Sequence, residues 1–386
     1  MMHLSFLRKR LFCPGPTPIP LSVQLTPFLT DPIHHREKTF SKIFRSCRAL
    51  LAEVLQSSTM PILLTGSGTA AMEAVSARLV TKGDAVFVIN GGKFGERWTE
   101  ILTQLGCEVT DHQIPWGQAP DPEEIALCLG KKSYKAIFFQ GNETSTGVTY
   151  PVQILCAALK KVSSALIVVD CISSLLIEPL LFDEWKIDAL VGASQKGFGL
   201  PSGLSFVCLS ERAWKSPAPD QRFYLDLQRE RLEQEKGYTA WTPAIDLIQM
   251  LEASLKQITQ ITLPVFQAHH LAVAHAVRLS LREMGLDLFA KDHFSNAVTS
   301  VCCPPGIKST PFTEFLETQT KMVFAKGQGD YQEKIFRMAH MGFVDPFDIL
   351  SAIGALELAL KHFGFCKNVG LGVSCFLRKV AYHQNG

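Results

Sequence analysis

No stretch of this 386-residue sequence is apolar for long enough to cross a membrane. The most hydrophobic window, Ser163 to Phe182, is interrupted by Asp170 and Glu178, whereas a spanning helix needs about 20 predominantly apolar residues in a row. Net charge is scarce as well: 38 Lys and Arg against 36 Asp and Glu leave +2, without the basic excess that a nucleic-acid binder carries. Residues 1–10 lack the order of a secretory leader, because Arg8-Lys9-Arg10 follow a very short apolar stretch instead of preceding one, so no export is expected. The eleven cysteines include no Cys-x-x-Cys pair and no zinc spacing, which points to a reduced, cytoplasmic chain. No metal site is expected either. His34-His35 and His269-His270 are adjacent pairs, which cannot turn both rings onto one ion from a regular helix or strand. There is no Gly-x-Ser-x-Gly elbow, so a hydrolase triad has no nucleophile to build on.

What the sequence does contain is enough apolar residues for a large core, 47% against 19% charged, and length for two or three domains. From about residue 60 to 210, short apolar runs alternate with longer amphipathic stretches, the pattern of βα units on a largely parallel sheet. Strands are expected at 61–65, 84–90, 134–140, 165–170, 188–194 and 204–210, all rich in β-branched and aromatic residues. Helices are expected at 69–80, 96–105 and 152–161. Residues 211–242 mix both charge signs and read as a solvated connector. A helical tract over 244–285 follows, then a strand over 296–302, a helix over 310–325, a strand over 334–340 and a helix over 345–362 opened by Asp345-Pro346. This second set reads as a smaller α+β domain, and the last twenty or so residues give no clear pattern.

Three features could carry chemistry. Gly66-Ser67-Gly68-Thr69 follows a strand and opens a helix, where backbone N–H groups, hydroxyls and the positive helix end favour an anion such as phosphate. It lacks the Gly-Lys-Ser/Thr of a nucleotide loop, and taken alone it reads equally well as a tight connection. Asp170 ends an otherwise apolar strand, at the edge where open α/β sheets bind ligands; it serves either as a cap for the segment after it or as the counter-ion of a buried cation. Lys196, in Ser194-Gln-Lys-Gly-Phe-Gly-Leu-Pro-Ser-Gly203, ends another strand before a glycine-rich loop. A lysine enclosed there loses proton affinity and becomes nucleophilic. In chain order these are an anion cradle, a partner for a ring nitrogen and an amine for covalent attachment, the three fixtures of a pyridoxal phosphate site.

With those residues in place, the sequence resembles the class V, fold type I pyridoxal-phosphate-dependent aminotransferases, within them the alanine–glyoxylate and serine–pyruvate group. The likeness runs through Pro14-Gly-Pro-Thr-Pro-Ile-Pro20, Gly66-Ser-Gly-Thr-Ala-Ala-Met-Glu-Ala74, Asn90-Gly-Gly-Lys-Phe-Gly-Glu-Arg97, Glu143-Thr-Ser-Thr-Gly147, Val169-Asp170, Ser194-Gln-Lys196 and Arg337-Met-Ala-His-Met-Gly342. It implies an α/β fold in which a largely parallel sheet flanked by helices forms the large domain. The division expected is an N-terminal arm over 1–20, a large cofactor-binding domain over 21–260 and a small C-terminal α+β domain over 261–386.

The resemblance further implies that Lys196 is the catalytic lysine and that Asp170 holds the pyridine nitrogen protonated. Phe94 stacks on the cofactor, Ser67, Gly68, Thr69 and Gln195 receive its phosphate, and Thr144 lies near the ring. Thr242 reaches the phosphate of a neighbouring subunit, with Tyr238 as a candidate companion whose spacing to Thr242 is unusual, which makes the active unit a homodimer. Arg337 grips the substrate carboxylate, a task suited to a planar bidentate donor. Two departures bear on the substrate: Cys13 stands where a small residue is common, and Phe198 narrows the pocket. The activity expected is ping-pong transfer of an amino group from alanine or serine to glyoxylate or pyruvate. The rivals are a lyase of the cysteine desulfurase type, disfavoured by Gln195 and Phe94 standing where that chemistry needs histidine, and a non-catalytic binding protein on the same fold, disfavoured by the complete set Asp170, Lys196 and Arg337.

Overall fold

The computed structural model describes residues 7–130, 132–217 and 222–382; the first six residues of the expected N-terminal arm lie outside the described residues. Alternation along the strands builds the main core. In Ala136–Gln140, Ala136 and Phe138 point to one side and Ile137 and Phe139 to the other, and all four are fully buried. A strand that is apolar on both faces needs a layer of helices on each. One layer is Gly68–Leu79 and Lys93–Gln104; the other is Lys38–Leu55, Val152–Val162 and Ile245–Ile261.

The sheet between them has seven strands: β1 (Ile62–Thr65), β2 (Ala85–Asn90), β3 (Glu108–Gln113), β4 (Ala136–Gln140), β5 (Leu166–Asp170), β6 (Ala189–Ala193) and β7 (Leu204–Leu209). Their spatial order is β1-β7-β6-β5-β4-β2-β3. Neighbours from β6 to β3 are parallel, and β7 alone runs antiparallel to both its neighbours. Six of these strands lie where the apolar runs predict them. The seventh, β3, has no apolar run because it is an edge strand whose residues stay partly exposed. The helix Lys38–Leu55 is likewise absent from the sequence reading, although Phe40, Phe44, Cys47, Leu51 and Leu55 recur on one buried face.

Three expectations need correction. Residues 211–242 are not merely a solvated connector: the helix Leu227–Glu235, capped by Asp226, buries Glu230 and Gln234. The Gln234 amide donates to the Leu63 carbonyl (2.7 Å) and accepts from the Leu63 N–H (3.0 Å), closing the free edge of β1 that would otherwise expose unpaired backbone. The tract 244–285 is two helices, Ile245–Ile261 and Leu263–Glu283, separated at Thr262 with φ of 73° and followed by Pro264, which is tolerated only in a first helical turn. The helix expected over 310–325 ends early. Ser309–Phe315 runs into a π turn, Leu316–Thr320, and Lys321 at φ of 59° releases the chain into short strands.

A second sheet contains β8 (Val298–Cys302), β9 (Ala325–Lys326) and β10 (Ile335–Ala339), antiparallel in the order β8-β10-β9. Its core gathers Phe312, Phe336, Met338, Ile349, Leu356 and Phe376. The last of these comes from Leu371–Tyr382, a helix in the segment that gave no clear pattern, which packs on Leu263–Glu283. The N-terminal segment threads into the same region. Arg10–Leu11 pairs with Met322–Val323, and the Phe12 carbonyl accepts from Ala339 N–H at 2.7 Å. Among the described residues no helix is long and apolar enough to cross a membrane.

Candidate active site

Because β2, β4, β5 and β6 are parallel, and β1 regains their direction after two antiparallel steps, the carboxyl ends of all five open on one edge. That edge is where open α/β sheets hold ligands. It receives Gly66–Thr69 after β1, Asn90–Phe94 after β2, Glu143-Thr144 after β4, Asp170 at the end of β5 and Gln195-Lys196 after β6. Gly68 ties two of these together: a β-carbon there would come within 2.4 Å of Ile172 Cδ1 and 3.2 Å of Ala193 Cβ. Glycine thus lets the start of the helix Gly68–Leu79 settle against the ends of β5 and β6.

Lys196 is 8% exposed. Its Nζ donates to the Pro14 carbonyl, its own carbonyl accepts from Thr17 Oγ1 at 2.9 Å, and its side chain lies against Gly15. A β-carbon on Gly15 would approach Nζ to 2.7 Å, so the Pro14-Gly-Pro motif is the lid under which the lysine fits. Burial pulls the ammonium down to about 8, against the attraction of Asp170 and with the help of Arg337 and Arg97. Such an amine loses its proton near neutral pH far more readily than an ordinary lysine.

Asp170 is buried, with Oδ1 accepting from the Ile172 N–H at 2.8 Å. The capping role considered for it is therefore partly real. Burial raises its carboxyl to about 7, with the Ile172 bond, Arg97 and Lys196 pulling the other way and Glu143 adding to the rise. Asp188, at the opposite end of β6, shows what a satisfied buried carboxylate looks like here. Burial alone would raise it, but Arg212 (2.8 and 2.6 Å) and Lys160 (2.7 Å) carry it below its ordinary value. Among the described residues no cation is in contact with Asp170, so a cationic group at this edge would find its carboxylate accessible to pairing.

Ser67 precedes the helix Gly68–Leu79 in an extended conformation, and its hydroxyl makes no capping bond. The helix end therefore keeps its orphan N–H groups for a ligand. Gln195 Oε1 is buried without a hydrogen-bond partner among the described residues. Phe94 is half-buried in the first turn of Lys93–Gln104, its position set by Glu143, whose Oε2 accepts from Phe94 N–H (3.1 Å), Gly95 N–H (3.2 Å) and Gln140 Nε2 (3.1 Å). Glu143 Oε1 accepts from the N–H and hydroxyl of Ser145. Burial raises this carboxyl and those bonds lower it. Removing it orphans several buried donors at once, each costing about 1–3 kcal/mol. Glu143→Ala is expected to lower the unfolding free energy by about 3 kcal/mol, read from urea titrations of the apoprotein.

Arg337 enters from β10. Its Nε donates to the Lys326 carbonyl at 2.9 Å and one terminal nitrogen to the Thr144 carbonyl at 3.0 Å. Two backbone anchors fix the plane of the guanidinium and leave the other terminal nitrogen for an outside acceptor. Burial lowers it to about 10, countered by Glu143, so it stays charged at neutral pH. Thr144 is buried at this junction.

The structure brings Lys196, Asp170, Gln195, Ser67, Gly68, Thr69, Phe94, Thr144 and Arg337 to one edge. Thr242 is exposed on the rim, lining a small cleft with Thr65, Tyr224 and Trp241; Tyr238 is half-buried against the main core. Phe198 does not narrow the pocket. It is buried in the core, edge-on to Phe206 with centroids 5.0 Å apart, because the strands before and after its loop fold it inward. Pro14, Glu143 and Arg97 carry no role in the sequence reading, although each lies inside a motif that the reading singled out. Their task appears only through partners far away in the chain.

A buried carboxylate without a cation, an amine of lowered proton affinity, a bare helix N-terminus and an orphaned amide are a donor set that pyridoxal phosphate fits: a cationic ring nitrogen, an aldehyde and a phosphate. Residues 27–330 match the model of the family described as "Aminotransferase class-V". The soluble hydrogenase small subunit of Synechococcus sp. (strain PCC 6716) is 33% identical over 95% of this chain and 97% of its own. The serine–glyoxylate aminotransferase of Methylorubrum extorquens is 29% identical over 96% of each. Among solved structures, an aspartate aminotransferase of subgroup IV from Thermus thermophilus superposes with a TM-score of 0.85 at 33% identity, covering 92% of this chain and 99% of that one. With the edge geometry and these likenesses together, the chain belongs to the class V aminotransferases and is an α/β aminotransferase of fold type I, a family that works with pyridoxal phosphate.

Proposed function

We propose that this aminotransferase moves the amino group of alanine or serine to glyoxylate or pyruvate in two alternating half-reactions at one site. The observation that carries the reading is that Lys196, drawn down to about 8, lies buried at the same sheet edge as Asp170 and the anchored guanidinium of Arg337, within the electrostatic reach of both. Bound pyridoxal phosphate would supply the electron sink that makes loss of an α-proton possible. Ser67, Gly68, Thr69 and Gln195 would hold its phosphate, Asp170 its ring nitrogen, Phe94 one ring face and Thr144 the ring margin. Arg337 binds the α-carboxylate of the substrate. Lys196 Nζ takes the donor's α-proton and, in the second half-reaction, gives a proton to the α-carbon of the acceptor. The lid of Pro14 and Gly15 over Lys196 excludes water from that transfer. The relative named for serine and glyoxylate supports those two among the proposed substrates.

Further readings go with it. The chain divides at about residue 261 into a cofactor-carrying large domain and a small domain, after an arm over 1–20. It works as a homodimer, which the exposed Leu21, Phe28 and Leu29 and the rim position of Thr242 support. It resides in the cytoplasm, as eleven free cysteines suggest.

The test is a visible spectrum of the protein loaded with pyridoxal phosphate. The cofactor band should shift on adding alanine or serine and return with glyoxylate or pyruvate. A shift with aspartate and none with alanine or serine would overturn the donor; a band that no amino acid moves would overturn the reading.

A further inference from the structure

Of the residues expected to surround the phosphate, Ser67, Gly68, Thr69, Gln195 and Thr242, none carries a charge. A phosphate monoester holds between one and a half and two negative charges at neutral pH, roughly, and a helix N-terminus offsets only about half a charge. The turn as read from sequence is short of positive charge.

The structure supplies a candidate. Arg97 lies one turn beyond Phe94 on the helix Lys93–Gln104, which puts both side chains on one helical face. A terminal nitrogen of Arg97 donates to Thr69 Oγ1 at 3.3 Å, and the guanidinium carbon stands 5.1 Å from the Phe94 ring centroid. Among the described residues these are its contacts, and no carboxylate hydrogen-bonds or ion-pairs with it; Asp170 feels it only at a distance. The other cations described at this edge have other partners: Lys93 pairs with Glu96, Lys196 bonds the Pro14 carbonyl, and Arg337 is anchored on the carbonyls of Thr144 and Lys326 with its remaining nitrogen assigned to the substrate carboxylate. The positive field of Arg97 also reaches the centre of the site, lowering both Asp170 and Lys196.

We propose that Arg97 is a ligand of the cofactor's phosphate, its guanidinium meeting that group beside Thr69 and furnishing the formal positive charge that the Gly66–Thr69 turn lacks. The inference rests on the function proposed above. A competing role exists, since an arginine over an aromatic face also braces the ring, and the two roles respond differently to a ligand without phosphate.

Equilibrium dialysis of the apoprotein with pyridoxal phosphate and, separately, with pyridoxal separates them. Arg97→Gln should weaken pyridoxal phosphate about 10- to 100-fold, as expected for loss of a charge-assisted contact, while pyridoxal changes by less than about twofold. Arg97→Lys should recover part of the loss, keeping charge without the planar fork. Circular dichroism checks that both variants are folded. Equal losses for the two ligands would assign Arg97 to bracing Phe94 and overturn the proposal, as would no loss for either. Wild-type protein that binds no pyridoxal phosphate would sink the functional reading itself, an outcome distinct from an indifferent Arg97 variant.

Discussion

Lys196→Ala is expected to slow amino transfer by about 10⁴-fold, the upper end of what a positioned proton-transfer group contributes. The loss should appear in single-turnover measurements, where chemistry is not masked by product release. The structure says why no neighbour can substitute. Lys196 sits under Gly15 with its Nζ on the Pro14 carbonyl. The cations whose field reaches it are the guanidiniums of Arg97 and Arg337, which carry donors and no accepting lone pair, and Lys93 is held by Glu96. Lys196→Arg should be as inactive as alanine, since it restores charge but not a titratable amine. An active arginine variant would refute the proton-transfer role. A small primary amine added to the alanine variant should recover part of the rate, because truncation leaves room where the amine stood.

Asp170→Asn is expected to have two opposite effects: amino transfer falls by about 10³-fold, on the scale of removing a preorganised electrostatic partner, and the apoprotein becomes more stable near neutral pH. The second follows from linkage. Burial raises the folded carboxyl from 3.8 to about 7, so folding favours its protonated form. Well below pH 3.8 both folded and unfolded chains hold the proton and there is no penalty. As pH rises from 4 to 7 the unfolded chain ionises freely while the folded one resists, and wild-type stability declines across that window. The asparagine variant has no such proton to lose, so its stability should exceed that of wild type by a few kcal/mol at pH 8, measured by denaturant titration. Loading with pyridoxal phosphate should reverse the order, since a cationic ring nitrogen then pairs with the aspartate. Equal stability of the two apoproteins at pH 8 would mean that Asp170 already has its counter-charge within the chain.

The central strands and the strand-end residues Asp170 and Lys196 were legible because their signals are local: an apolar run, then a polar residue, then a turn. Strand β3 was hidden because an edge position needs little apolar surface. Gln234 looked like a solvated charge-run residue because its service to the Leu63 backbone lies 171 positions away in sequence. The break at Thr262 was missed because the amphipathic pattern continues on both sides of it. The same contrast holds in the site. Glycine turns and the arginine Arg337 can be read from motifs, but the work of Glu143 depends on the helix Lys93–Gln104 arriving beside it, and that of Arg97 on Thr69, 28 positions back. Phe198 was assigned to the pocket because an aromatic beside a key lysine invites it, and the turn direction that buries it against Phe206 has no local signature.

The threading of the N-terminal segment bears on how the enzyme is made. Pro14 leaves the ribosome early, yet the lysine it covers follows 182 residues later and the strand that holds its neighbour Cys13 follows 310 later. The nascent chain can close its central strands long before it can close the lid, so a half-made enzyme carries an open, water-filled lysine site. Topologies dominated by such distant pairings fold slowly and expose unpaired surface meanwhile. The cover over Lys196 is therefore among the last parts of the fold that the chain can complete, and it depends on the pairing of Arg10–Leu11 with Met322–Val323.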